Sequence, residues 1–191
     1  MSAKDEMCKV LYFSDYQITA QDVLDEIALA ISLSGCPLHC KGCHSAFTWD
    51  PKFGEELTNN KFEALLKKNK YISCVLFYGG EWQIDRLMEL IDIVKKNNLK
   101  VCLYTGLMLE EIKQTKPQLL DVLDYLKVGR WIVEKGGLNK KTTNQRFYKV
   151  INENNKKTDI DKKISKKEQK FNSIYVNNIK LVDWTSRFYQ S

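Results

Sequence analysis

Apolar positions in the N-terminal two-thirds of the chain fall into short strand-like runs that alternate with stretches of helical period. Ile27-Ala28-Leu29-Ala30-Ile31-Ser32-Leu33 is almost continuously apolar, the pattern of a strand buried on both faces. The runs Ile72 to Tyr78, Leu99 to Tyr104 and Tyr125 to Val128 repeat it. Between them, Phe62, Leu65 and Leu66 mark a helix over about 60–69, with Asn60 as N-cap and Glu63 completing a capping box. Ile84, Leu87, Met88, Ile91 and Val94 mark an amphipathic helix within 82–97. Residues 107–123 read as helix interrupted at Pro117. Strands and helices in this rhythm predict βαβ units and a parallel sheet, whose strand ends at Cys36, Gly79-Gly80-Glu81 and Thr105-Gly106 share one rim. Residues 8–18 are rich in β-formers and predict a further strand. Asn144 to Ile151 predicts a loop followed by a strand, and 171–189 a hairpin turning at Asn177-Asn178.

Composition narrows the class. At 191 residues, 43% hydrophobic and 28% charged, the chain is an ordinary globular sequence. The expected division is 1–151 as the main domain, 152–170 as a lysine-rich mobile segment and 171–191 as a C-terminal hairpin extension. The net charge of +6 invites a nucleic-acid reading. Half of it lies in 152–170, where seven lysines face four acids with no aromatic residue among them, so solvated chain is favoured over a nucleic-acid surface. The first residues lack a signal-peptide core and the apolar runs are too short to span a bilayer, so the expectation is a cytoplasmic protein without a membrane partner. In that compartment Cys8, Cys74 and Cys102, each in a strand-like context, read as small core hydrophobes rather than disulfide partners.

The remaining cysteines are different. Ser34 to Asp50 reads Ser-Gly-Cys-Pro-Leu-His-Cys-Lys-Gly-Cys-His-Ser-Ala-Phe-Thr-Trp-Asp, which crowds Cys36, Cys40, Cys43, His39 and His44 into nine residues. Thiolates this close repel unless a metal or cluster holds them. The C-x3-C-x2-C spacing supplies three thiolates and no evident fourth ligand. That suits an iron-sulfur cluster with one open iron better than structural zinc, which wants a closed set of four. A zinc module that recruits a histidine or a distant thiol stays open as the alternative. Gly42 fits a tight loop whose amides face the cluster. Gly79-Gly80-Glu81, read alone, is a turn that brings backbone close to something.

C-x3-C-x2-C after a first buried strand resembles the signature of the radical S-adenosylmethionine (SAM) family. The wider wording from Gly35 to His44, followed by Thr48-Trp49-Asp50, resembles the activating proteins of anaerobic (class III) ribonucleoside-triphosphate reductases, as does Asn144-Gln145-Arg146. The resemblance implies an α/β fold, an open partial (β/α) barrel of parallel strands of radical SAM type with flanking N- and C-terminal strands. It implies a 4Fe-4S cluster on Cys36, Cys40 and Cys43, with the fourth iron open to SAM. It places SAM at Gly79, Gly80, Glu81, Thr105, Gly42 and His44, and requires no acid/base residue because the chemistry is driven by the cluster. The implied partners are the glycyl radical subunit of the reductase and a flavodoxin-like or other one-electron donor. The implied reaction is reductive SAM cleavage that leaves a glycyl radical on the reductase. A pyruvate formate-lyase type activase and a small-molecule radical SAM enzyme remain alternatives. Ser45, Trp82-Gln83 and the extension beyond Asn152 depart from the family wording.

Overall fold

Four parallel strands form the centre of the sheet: β2 (Ala28–Leu33), β4 (Cys74–Tyr78), β5 (Lys100–Tyr104) and β6 (Tyr125–Val128), adjacent in that order. This is the arrangement expected from the alternation of apolar runs and helical stretches. The structure is a computed structural model that describes residues 10–152 and 170–190. The segment expected to be mobile, apart from its two ends, and Cys8 lie outside the described residues. Antiparallel strands extend the sheet on both sides. β1 (Tyr12–Thr19) and β3 (Glu55–Glu56) lie beyond β2, and β7 (Arg146–Asn152), β9 (Ile179–Asp183) and β8 (Ser173–Val176) beyond β6. Among the described residues the nine strands run in one open sheet with β3 and β8 at its edges.

Three crossovers join the parallel strands. α1 (Asn59–Lys68) leads to β4, α2 (Ile84–Lys96) to β5, and the pair α3 (Leu109–Thr115) and α4 (Gln118–Val122) to β6. Pro117 separates the last two, as its missing N–H requires. The cap of α1 is Thr58 rather than Asn60: its hydroxyl accepts the Lys61 N–H at 3.2 Å. Thr58 is extended, the conformation an N-cap needs, and Asn60 already lies in the helix. Trp82 and Gln83, included in the expected helix, belong instead to a separate 3₁₀ turn over Glu81–Gln83.

Both faces of the sheet are covered. Leu29, Ile31, Val75, Phe77, Val101, Leu103 and Leu126 point to the helices and pack with Phe62, Leu87, Ile91, Ile112 and Leu119. The alternate residues Ala28, Ala30, Cys74, Leu76, Cys102, Tyr125 and Phe147 point the other way. They are covered by Val23 from the β1–β2 connection and by Trp184 and Phe188, which enter and form the 3₁₀ segment Thr185–Gln190 after β9. Cys74 and Cys102 are fully buried there, as small core residues, and burial pushes both thiols up. The hairpin of β8 and β9 turns at Asn177-Asn178, where Asn177 adopts φ +53°. No helix among the described residues is long and apolar enough to cross a membrane.

Candidate iron-sulfur and SAM site

The register of the parallel strands brings the short motifs together. Ser32 lies opposite Tyr78, and Tyr78 opposite Tyr104, so the loops that follow β2, β4 and β5 leave one rim of the sheet. Backbone bonds fasten that rim: Gly79 N–H donates to Tyr104 O at 2.9 Å, and Thr105 N–H to Lys127 O at 2.9 Å.

The cysteine loop leaves β2 and is closed by Thr48, whose carbonyl accepts the N–H groups of Gly35 at 2.6 Å and Cys36 at 3.2 Å. Within it Cys43 N–H donates to Cys40 O at 3.1 Å, and His39 and Gly42 both take positive φ, +44° and +67°. Both histidines pack on tryptophan rings. His39 stacks on Trp49 with ring centroids 4.7 Å apart, and His44 lies 4.4 Å from the Trp131 ring. All three loop cysteines are half-buried. Burial pushes the Cys36 thiol up, partly offset by the Leu38 backbone N–H, while Glu81, Cys40 and Cys43 add to the rise through their negative charge. The three sulfurs therefore share one field, and a cation among them would relieve it. Among the described residues no three Cys, His, Asp or Glu side chains converge on a single ion. A cluster that gives each thiolate its own iron requires no such convergence, so a half-buried set of three thiols on one loop fits it.

The turn after β4 is built by close approach. Gly79 (φ +85°) and Gly80 (φ +100°) are both left-handed, and a Cβ on Gly79 would stand 2.3 Å from the Trp82 ring. The same indole approaches Gly35, where a Cβ would stand 2.9 Å from Trp82 Nε1. Trp82, an unexplained departure in the sequence, is thus the wedge between the glycine turn and the start of the cysteine loop. Leu38 fixes the loop to the third motif, since a Cβ on Gly106 would stand 2.4 Å from Leu38 Cδ1.

Glu81 is 3% exposed. Its Oε1 accepts the Thr105 hydroxyl at 2.6 Å, and Thr105 Oγ1 in turn accepts the Leu107 N–H at 3.0 Å. Glu81 Oε2 has no hydrogen-bond partner among the described residues. Burial pushes the carboxyl upward against the pull of the Thr105 bond, of its own backbone N–H and of Lys116 and Lys127. A buried carboxyl oxygen without a donor, at a rim shared with three thiols, suits a cationic hydrogen-bond donor.

Lys127 is the residue that sequence reasoning missed. Burial pulls its ammonium down to about 8, while Cys40, Glu81 and Cys43 act to hold the proton on. Its Nζ donates to Gly129 O at 3.3 Å and sits 5.8 Å from the Tyr104 ring centre. The available signal was a lone lysine in an apolar strand, one position before the strand end. Asn144 and Gln145 support the loop after β6: Asn144 Nδ2 donates to Arg130 O at 3.0 Å and Gln145 Nε2 to Gly129 O at 3.4 Å. Arg146 folds onto its own loop, donating to Thr143 O and Gln145 O.

A family-level comparison agrees with this site. Residues 27–152 match the family described as a 4Fe-4S single cluster domain, and the chain belongs to that family. Among its relatives is a protein of Vibrio cholerae serotype O1 (strain ATCC 39315 / El Tor Inaba N16961) named anaerobic ribonucleoside-triphosphate reductase-activating protein. It is 28% identical over 113 residues, covering 54% of this chain and 73% of the relative. The solved structure of QueE from Escherichia coli aligns with a TM-score of 0.43 and 22% identity over 55% of this chain. The alignment spans 57% of the QueE chain, and a likeness this slight carries no argument.

Proposed function

We propose that this chain is a radical SAM activating enzyme that installs a glycyl radical on an anaerobic ribonucleoside-triphosphate reductase. The observation that carries the reading is the unpartnered Oε2 of buried Glu81 on the rim that also bears Cys36, Cys40 and Cys43. The name of the Vibrio cholerae relative and the wording of the cysteine loop support the choice of partner. An open sheet with a parallel centre and antiparallel flanks is compatible with the partial barrel that the resemblance implies.

In this reading Cys36, Cys40 and Cys43 hold a 4Fe-4S cluster, and Gly79, Gly80, Glu81 and Thr105 receive SAM. When bound, the two supply one-electron reductive cleavage of the sulfonium, giving methionine and a 5'-deoxyadenosyl radical able to take a hydrogen atom from a glycine. The chain's own residues orient and insulate. Glu81 Oε2 accepts from the SAM ammonium group, while Thr105 holds the other oxygen and fixes the carboxylate plane. Gly79 and Gly80 keep the turn free of side chains, so backbone oxygens can approach the same ammonium. Lys127 offsets the negative charge of the thiolates and Glu81. Gly42 lets the loop turn between two ligands, and His44 holds Trp131 against the loop's outer side.

The test is anaerobic reconstitution with iron and sulfide, reduction, addition of SAM, and chromatography for 5'-deoxyadenosine and methionine. Both products are expected, with loss in Cys40→Ala. Incubation with the reductase should then yield the doublet of a glycyl radical in electron paramagnetic resonance. A protein that holds one zinc ion and leaves SAM intact overturns the reading.

A further inference from the structure

The connection from β6 to β7, residues 129–145, lies against the outer side of the cysteine loop. Trp131 packs on His44, and the Val133 side chain occupies the space over Gly42, where a Cβ would stand 2.5 Å from Val133 Cγ2. The connection is internally tied. Gly136 N–H donates to Ile132 O at 3.0 Å, the Thr142 hydroxyl to Lys135 O at 2.8 Å, and the Thr143 hydroxyl to Gly136 O at 3.1 Å. It is therefore a fixed platform.

Its charge is one-sided. Lys135, Lys140 and Lys141 are exposed and form no ion pair within the described residues, and Lys41, also exposed, adds a fourth ammonium from the cysteine loop itself. Glu134 is the single acid between Arg130 and Arg146. On the same connection Val133, whose side chain meets Gly42, is 53% exposed, a large apolar group in open solvent.

We propose that this lysine platform, formed by Lys41, Lys135, Lys140 and Lys141 with Val133, is the docking site for an acidic one-electron carrier protein that reduces the iron-sulfur centre. The proposal rests on the iron-sulfur reading above. An electron carrier has only to bring its redox centre close to the ligand loop, and Lys41, Gly42 and His44 are all exposed on this side. Transient electron-transfer complexes use small interfaces, under about 1,200 Å², so a platform with one exposed apolar residue is sufficient. Opposite charge steers encounter and raises association rates by about 10 to 1,000-fold, with strong salt dependence. One electron crosses: the carrier is oxidised by one equivalent, the centre is reduced by one, and no bond forms or breaks.

The experiment uses the reconstituted full chain and its Lys135→Glu/Lys140→Glu/Lys141→Glu variant, with the corresponding Gln variant as a milder form. Reduction is followed by stopped-flow absorbance with two reductants, a reduced flavodoxin as the acidic carrier and photoreduced deazaflavin as the small one. Binding of oxidised flavodoxin is measured in parallel on a sensor surface across a salt series. The expected result is a fall of about tenfold or more in flavodoxin-driven reduction and in flavodoxin affinity at low salt. The Gln variant should fall between, the difference should close at high salt, and deazaflavin reduction should be unchanged. Equal flavodoxin rates and affinities for variant and wild type overturn the docking proposal. So does a variant that takes electrons normally but no longer binds the reductase, which gives the platform to the other partner. A wild-type protein that deazaflavin cannot reduce removes the iron-sulfur reading itself, and this arm tells the two failures apart.

Discussion

Glu81 faces a conflict between its burial and its charge. Thr105 satisfies one carboxyl oxygen, and the other is buried without a donor among the described residues. Burial raises the folded-state pKa above that of the unfolded chain. The folded protein therefore holds this proton more tightly, and the associated stability is full below the ordinary carboxyl range and lost as pH rises through the folded value. Above the ordinary carboxyl range the SAM-free protein carries the cost of burying this carboxyl. Glu81→Gln keeps the acceptor for Thr105 and removes the charge. It should raise the melting temperature of the SAM-free protein near neutral pH by about 3 °C, with the gain fading as the buffer is made acidic. The same change should weaken SAM binding by about tenfold or more, because a charge-assisted bond is lost. Calorimetry across pH and equilibrium dialysis of SAM check the two halves, and an unchanged or lowered melting temperature near neutral pH would count against the electrostatic account. Residues of this kind were unequally legible in the sequence. Cys36, Cys40, Cys43 and Glu81 announce themselves by spacing or by a glycine pair. Lys127 does not, because its role comes from a sheet register that places it opposite Tyr104, on the face toward the thiols.

At the scale of elements, the glycine turn after β4 and the 3₁₀ turn Glu81–Gln83 act as a unit through Trp82. Gly79→Ala meets two obstacles: a positive φ of +85° and an indole atom 2.3 Å from the new methyl group. Backbone strain and overpacking each cost about 1–3 kcal/mol, so the substitution should lower stability by about 2–6 kcal/mol. Trp82→Leu in the same chain removes the clash and leaves the strain. The double variant should therefore be more stable than the sum of the single effects allows, with a coupling of about 1 kcal/mol. Urea unfolding of the four proteins gives this number directly, and simple additivity shows that Trp82 is not the wedge. Elements themselves were largely readable, since buried strands are short apolar runs and α2 shows its period. Boundaries were less so. Thr58 caps α1 because its backbone is extended and its hydroxyl reaches Lys61, a matter of two residues of backbone geometry that the neighbouring Asn60 imitates in sequence.

For the whole molecule, the sheet is stable only if both its faces are covered, and the second face depends on the far end of the chain. An apolar run such as Ala28 to Leu33 declares two-sided burial without saying what does the covering. Here the cover comes from Val23 and, more than a hundred residues further along the sequence, from Trp184 and Phe188. β9 also pairs with β7 over five residues, so the C-terminal hairpin carries the sheet's outer ladder as well as its lid. Leu181, Val182, Trp184 and Phe188 are all buried. At about 1.5–3 kcal/mol for each buried side chain, their loss removes about 6–12 kcal/mol, the size of a typical domain's entire net stability. Ending the chain after Lys170 should therefore abolish cooperative unfolding and expose Phe147 and Tyr125. Circular dichroism during urea titration and binding of a hydrophobic dye test this. If the shortened chain keeps a sharp transition and binds iron and sulfide as the full chain does, the second face is sealed by something other than this hairpin. If it loses both, the extension that departs from the family wording is part of the scaffold that holds the rim together.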